Sequence, residues 1–207
     1  MEFSGDIGNP NQKESPLPSD FIVSRRPKEY LRQGKLHCGV YSAKAVLNAY
    51  GLDAHDDPRD FHISTLGRVS GIVTPKMMTE ILANHGLVAE MQTVKSLTNE
   101  QKVTRLMEEV ARDNPVVLMV NNGYKHDGGY SKFWKNTILH WVTVWGYDEK
   151  KQEFYLYDPA VKHDPNNGNL PIGNVARKYS EVIRDWEGWA LPIFERYRYI
   201  TVKPQLT

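Results

Sequence analysis

Apolar residues in the first half of the chain recur every three or four positions, a spacing typical of helices with one buried face. Gly51 follows the first such run and suits a left-handed helix cap. Thr74-Pro75 opens the second in the cap-then-proline order, and Asn114-Pro115 ends the third. The three predicted helices cover about residues 38–50, 75–85 and 98–113.

The second half of the chain favours strands. The run Val116–Val120 is continuously apolar and bounded by turn residues, which predicts a central strand buried on both faces. Two β-rich runs flank the polar turn 148–151 and predict an antiparallel hairpin. Helices therefore precede antiparallel strands, which indicates an α+β fold. The remaining predictions are strands at 87–92, 138–147, 153–157 and 197–202, a helix at 179–186, and loops at 121–136 and 160–173.

The polar N-terminus differs from the rest of the 207-residue chain. Residues 1–20 are rich in Pro, Gly and Ser, so we expect a flexible arm followed by one domain over 21–207. The formal net charge is only +1 and charges of both signs are interspersed, which argues against a nucleic-acid partner. We expect no membrane segment, because no run approaches about 18 apolar residues, and no signal peptide is visible.

Cys38 is the only cysteine of the chain, and it stands where loop composition changes to the first helical pattern. The positive end of a helix dipole lowers a thiol pKa, and the thiolate is the nucleophilic form. A lone cysteine also serves as an inert, buried small hydrophobe. The rest of the chain decides between these two interpretations.

The predicted hairpin supplies a base and an orienting carboxylate. Strand periodicity places His140 on one face with Val142 and Val144. Asp158 ends the partner strand and falls near the register of His140. Cysteine, imidazole and carboxylate together are the parts of a thiol catalytic triad. Gln33, five residues before Cys38, is the candidate side-chain donor of an oxyanion hole.

These segments, in this order, resemble the papain-like cysteine peptidases. The similarity is strongest to the bacteriocin-processing peptidases, which cleave double-glycine leaders, and to their stand-alone relatives. Two features depart from that pattern: Gln33 stands five residues before the cysteine where about six are expected, and His37 precedes the cysteine where a carboxylate or small residue is frequent. The matching segments are Gln33 to Gly39, Asn48 to Gly51, Asn114 to Leu118, His140 to Asp148 and Tyr155 to Pro159.

The resemblance implies a papain-like fold, with an N-terminal helical part packed on a C-terminal antiparallel sheet and the active site between them. It implies Cys38 as nucleophile, His140 as general base and acid, Asp158 as orienter and Gln33 as oxyanion donor. The expected activity is hydrolysis of peptide bonds through a thioester acyl-enzyme, with a peptide or protein as substrate and no cofactor or metal.

Three alternatives stay open at the level of sequence. The same triad serves deamidases and acyl-transferases, because the cleft and not the triad selects the acceptor. A non-catalytic binding module with the same fold and an unreactive Cys38 is the third. The scattered His and Asp residues of the loops lack a metal-ligand spacing, so a metal site is not expected.

Overall fold

Local signals determine where the main helices begin. The second long helix starts after Thr74, whose side-chain oxygen accepts a hydrogen bond from the Met77 amide at 3.2 Å. The third starts at a capping box formed by Thr98 and Gln101. The three predicted N-terminal helices are confirmed, as is the later one at 179–186. The α-helices are α1 Cys38–Ala49, α2 Thr65–Ser70, α3 Pro75–Asn84, α4 Asn99–Ala111, α5 Lys132–Lys135 and α6 Tyr179–Trp186, with a 3₁₀ helix at Pro58–Phe61.

The computed structural model describes residues 16–34, 36–123, 130–135, 139–161, 170–187 and 196–205. Within these ranges the strands form one seven-stranded antiparallel sheet, ordered β2-β7-β3-β4-β5-β6, with β1 paired to β4. The strands are β1 Asp20–Ile22, β2 Leu87–Thr93, β3 Val116–Asn121, β4 Leu139–Asp148, β5 Glu153–Tyr157, β6 Val175–Lys178 and β7 Arg198–Pro204.

The central strand and the hairpin are both confirmed. Strand β3 lies between β7 and β4 and is buried along its whole length. Strands β4 and β5 pair in antiparallel register, with a bulge between Val144 and Gly146. Beyond the bulge β4 pairs with β1, and a Cβ at Gly146 would lie 2.7 Å from the Phe21 carbonyl oxygen. A glycine here therefore permits the close approach of β1.

One sequence prediction needs correction, and a second is tested only at its ends. The predicted loop at 121–136 contains α5, and its residues 124–129 and 136 lie outside the described residues. The predicted loop at 160–173 ends as expected before β6, but 162–169 lie outside the described part.

The N-terminal arm is described only at its end. Residues 1–15 lie outside the described residues, whereas Asp20 already pairs with Asp148 in β1. The hydroxyl of Tyr147 also donates a hydrogen bond to the Pro18 carbonyl at 3.0 Å. Residues 16–20 of the expected arm thus belong to the described part of the chain, and Asp20 is part of the sheet.

Helices pack against the sheet to form the core. Helix α1 contacts β4, α3 contacts β2, and α6 contacts β3. Fully buried aromatic side chains fill the space between the layers, among them Trp145 and Trp186. This arrangement confirms the predicted α+β fold. No helix in the described part of the chain is long and apolar enough to cross a bilayer.

Candidate active site

Cys38 is the first residue of α1 and is half-buried. The preceding residue, His37, occupies the N-cap position, but its side chain makes no capping hydrogen bond. The first N–H groups of a helix have no partner within the helix, and the dipole there favours a negative charge. The thiol therefore lies at an end of α1 that is suited to an anion.

His140 lies between Cys38 and Asp158. Its Nε2 donates a hydrogen bond to Asp158 Oδ1 at 2.7 Å. Cys38 lies close enough to His140 to raise the pKa of the imidazole. The imidazole is buried, with 3% of the residue exposed. The structure therefore brings together three residues that are 102 and 18 positions apart in the chain.

The electrostatics of the site favour the imidazolium. Burial alone lowers the pKa of His140, because it disfavours the charged form. The negative charges of Asp158 and Cys38, with the hydrogen bond to Asp158, outweigh burial and raise the pKa of His140 to about 10. An imidazolium at neutral pH is the state that stabilises an adjacent thiolate.

Asp158 follows the last residue of β5 and is 4% exposed. Burial raises the pKa of this carboxyl, but the charge of His140, its hydrogen bond and the charge of Arg177 lower the pKa below its usual value. Oδ1 also accepts a hydrogen bond from the Ala160 amide at 2.9 Å. Asp158 is therefore held as a carboxylate.

Gln33 lies next to the segment that follows Asp158. Its backbone N–H donates a hydrogen bond to the Pro159 carbonyl at 2.9 Å. Its side-chain Oε1 is buried and has no hydrogen-bond partner among the described residues. The chain before Cys38 is thus tied to the end of the hairpin.

Two further residues at this site escaped the sequence analysis. Asn174 and Arg177 lie just before and within β6, and both contact Asp158. Neither belongs to an apolar pattern, and both follow a loop of unpredictable course. We find no local signal in the sequence that would have assigned them to the site.

A cavity of about 30 Å³ adjoins the histidine–carboxylate pair. A volume of this size accommodates a water molecule when polar groups line it. Asn121 lines the cavity and is 1% exposed, and both polar atoms of its amide lack a partner among the described residues. The other lining residues include Val142, Leu156, Val175, Arg177, Val182 and Asp185.

His37, the unusual residue before the cysteine, faces a second histidine. Its Nδ1 lies 3.3 Å from Nε2 of His62. Burial lowers the pKa of both imidazoles, and nearby positive charge lowers it further. Across the described ranges, no group of three or more His, Cys, Asp or Glu side chains is arranged to hold a metal ion.

The fold is shared with two solved proteases. Xylellain, a cysteine protease from Xylella fastidiosa, superposes with a TM-score of 0.58 at 11% identity, covering 91% of this chain and 87% of that protein. A double glycine motif protease from an AMS/PCAT transporter, solved in complex with the leader peptide, superposes with a TM-score of 0.52 at 17% identity. That match covers 89% of this chain and 98% of the protease. These likenesses confirm the predicted papain-like fold.

Sequence comparison gives the family. A search of curated proteins finds no match. The model of the Peptidase_C39 like family matches residues 27–186, which is more than half of the chain and includes Gln33, Cys38, His140 and Asp158. The chain is therefore a cysteine peptidase that belongs to the Peptidase C39-like family.

Proposed function

We propose that the protein hydrolyses peptide bonds through a Cys38, His140 and Asp158 triad and a covalent thioester intermediate. The observation that carries this proposal is the position of His140, which is hydrogen-bonded to Asp158 and lies close enough to Cys38 for the two groups to interact electrostatically. In this arrangement a nucleophile meets a base that is itself oriented by a third group.

The proposed reaction starts from a Cys38 thiolate and a His140 imidazolium. The sulfur attacks the carbonyl carbon of the substrate, and His140 gives its proton to the leaving amine nitrogen as the C–N bond breaks. Neutral His140 then takes a proton from water, whose oxygen attacks the thioester. The C–S bond breaks, which regenerates the thiolate and the imidazolium.

Two donors support the negative charge that develops on the carbonyl oxygen. The Cys38 backbone N–H is at the start of α1, where no side chain caps the helix. The Gln33 amide is the second proposed donor, and its main chain is fixed by the hydrogen bond to Pro159. Preorganised donors of this kind typically contribute about 10²–10³ in kcat each.

A peptide is the proposed substrate. The family to which the chain belongs is a peptidase family, and the double glycine motif protease with the same fold was solved with a leader peptide. The substrate bond that this protein cleaves is identified without assuming that a double-glycine motif precedes it.

Cleavage of a peptide library, followed by mass spectrometry, tests the proposal. We expect the wild-type protein to cleave a subset of peptides and the Cys38→Ala variant to cleave none of them. Acid quenching of the wild-type reaction should trap a chain whose mass is increased by the acyl fragment. Full cleavage by Cys38→Ala would exclude the thiol mechanism.

The matched control is Thr98→Ala, which removes a helix cap far from the triad in sequence. This variant should cleave the same peptides as the wild type. A loss of cleavage in both variants would point to instability and not to chemistry, and a thermal melt of each protein separates the two cases.

A further inference from the structure

We infer that Arg177 is a positioning residue that keeps the Asp158 carboxylate ionised while His140 gains and loses its proton. This inference rests on the proposed triad. It assigns to Arg177 the role of a permanent counter-charge, because a guanidinium does not titrate in proteins.

The two oxygens of Asp158 face different partners. Oδ1 accepts hydrogen bonds from His140 Nε2 at 2.7 Å and from the Ala160 amide at 2.9 Å. Oδ2 lies 3.4 Å from Nη2 of Arg177. The Arg177 side chain is only 14% exposed, so solvent screens this ion pair weakly. The carboxylate is thus placed between one cation that titrates and one that does not.

Asn174 fixes the main chain at the same point. Its Oδ1 accepts a hydrogen bond from the Asp158 amide at 2.8 Å, and its Nδ2 donates one to the Asp158 carbonyl at 2.9 Å. Asn174 immediately precedes β6, the strand that carries Arg177. One segment of four residues therefore sets both the backbone and the charge environment of Asp158.

The reaction makes this second cation necessary. When His140 protonates the leaving amine it becomes neutral, and a buried Asp158 would then have no counter-charge if His140 were its only partner. Burial strongly disfavours an isolated carboxylate, so the pair would retain the proton instead of releasing it. Arg177 lowers the free-energy cost of a buried Asp158 carboxylate beside neutral His140. His140 therefore releases its proton more readily.

The other titratable groups around the pair come from several elements. Cys38 of α1 contacts His140, and Tyr157 of β5 is the neighbour of Asp158. Asp185 of α6 lines the same cavity as Arg177. The Asp185 carboxylate accepts hydrogen bonds from Tyr130 at 2.6 Å and from Arg184 at 2.9 Å. Tyr130 and Arg184 therefore donate hydrogen bonds to Asp185, whereas Arg177 is the cation next to Oδ2 of Asp158.

The test is a titration of His140 by ¹⁵N NMR in protein labelled at histidine. It is done in the Cys38→Ala background, because the thiolate itself raises the pKa of His140. Resonances are assigned by comparison with His140→Gln. Removal of a nearby positive charge raises every coupled pKa, so Arg177→Met should raise the His140 midpoint by roughly half a unit to one unit.

Two variants make the result specific. Arg177→Lys keeps the charge and should shift the midpoint by less than half as much. Arg184→Met removes a neighbouring arginine that pairs with Asp185 and should leave the midpoint close to the starting value. An unchanged midpoint in Arg177→Met, or equal shifts in all three variants, would overturn the inference. Arg177→Gln, which also removes the charge, provides the readout if Arg177→Met fails to fold.

Activity distinguishes this inference from the proposed function. With Cys38 present, Arg177→Met should lower kcat for the best library peptide about tenfold or more while KM stays near the wild-type value. If Cys38→Ala or His140→Gln still cleaves that peptide, the proposed triad is wrong. If the triad is required and Arg177→Met retains full kcat, only the role of Arg177 is wrong.

Discussion

At the scale of single residues, the charge state of His140 decides whether Cys38 is a nucleophile. The imidazole is buried, yet two adjacent negative groups raise its pKa to about 10. The thiol is thereby placed next to a cation at every pH below that value. Cys38 is half-buried at a helix N-terminus, so alkylating reagents have a route to it.

Alkylation by iodoacetamide at pH 6 measures this directly. An unperturbed thiol is almost entirely protonated at pH 6, whereas a thiolate paired with imidazolium reacts. We expect His140→Gln to slow the alkylation of Cys38 at least about tenfold at pH 6, with a smaller difference near pH 9. The second-order rate constant is followed by mass spectrometry. Equal rates in both proteins at pH 6 would contradict the ion pair.

Asn174 is predicted to matter for both stability and chemistry. Asn174→Ala leaves the buried amide and carbonyl of Asp158 without their side-chain partners, which should reduce the free energy of unfolding by about 2–4 kcal/mol. The alkylation rate at pH 6 should also fall, because Asp158 no longer holds His140 in place. Urea denaturation and the alkylation assay measure the two effects.

The Thr98→Ala variant is the control for Asn174. Loss of this helix cap should cost about 1 kcal/mol without changing the alkylation rate. If Asn174→Ala is destabilised to the same small extent and keeps the wild-type alkylation rate, Asn174 has no special effect on the site.

The sequence predicts some site residues and not others for a physical reason. His140 and Asp158 lie near the ends of the two strands of one hairpin, so hairpin register predicts that they are close. The approach of Cys38 to this pair is implied by the family resemblance and not by local geometry. Arg177 and Asn174 come near Asp158 only through the pairing of β5 with β6, which follows a long loop. Long-range pairing of this kind leaves no mark on local spacing.

At the scale of elements, the length and the apolar pattern of a helix or strand decide whether the sequence predicts it. Helices α1, α3, α4 and α6 carry an apolar face over at least two turns. Strands β1 and β6 have three and four residues, and β6 is Val-Ala-Arg-Lys. Two short strands of mixed polarity are stabilised by their partners in the sheet and not by intrinsic preference, so the local sequence pattern predicts neither of them.

Gly71, the residue after α2, packs against the segment that precedes Cys38. It caps α2 with φ of 70°, and a Cβ at this position would overlap the Leu36 carbonyl oxygen. Gly71→Ala should therefore displace the chain two residues before the nucleophile. We expect a severalfold loss in the alkylation rate of Cys38, together with a lower urea midpoint.

The control for Gly71 is Gly51→Ala, which also replaces a glycine of positive φ but has nothing near its Cβ. Both variants carry the backbone strain of an alanine at positive φ, and only Gly71→Ala adds the clash with Leu36. Identical alkylation rates for the two proteins would show that α2 does not set the position of Cys38.

At the scale of the whole molecule, the site joins distant parts of the chain. Cys38 comes from the helical layer, and the other groups come from one end of the sheet. His140 lies in β4 and Asp158 directly follows β5, the strand paired with it, and Cys38 joins them only when α1 packs against the sheet. The pair is buried only in the folded protein. Its ionisation therefore contributes to the stability of the fold as well as to chemistry.

The stability of the protein should consequently decline in alkaline solution. His140 has a pKa of about 10 in the folded protein and about 6.5 when unfolded. Between these values the folded state holds a proton that the unfolded state has released, so rising pH favours unfolding. The stabilisation is complete below about pH 6.5 and is lost as the pH rises through about 10. In the proposed ion pair the folded state has lost the thiol proton, which the unfolded chain keeps up to about pH 8.5, and this offsets the proton held by His140. Urea midpoints of the wild type should therefore change little between pH 6.5 and 8 and fall between pH 8 and 9.5.

His140→Gln provides the comparison, because glutamine does not titrate. Its urea midpoint should be lower than that of the wild type at pH 6.5 and should change less between pH 6.5 and 9.5. The measurements stop at pH 9.5 because tyrosines also contribute above about pH 10. Burial raises the pKa of Tyr50 and Tyr157, so a further rise in pH destabilises the folded state through these groups as well. Parallel curves for the two proteins would show that His140 is not protonated in the folded state, and the thiolate–imidazolium pair would then have to be abandoned.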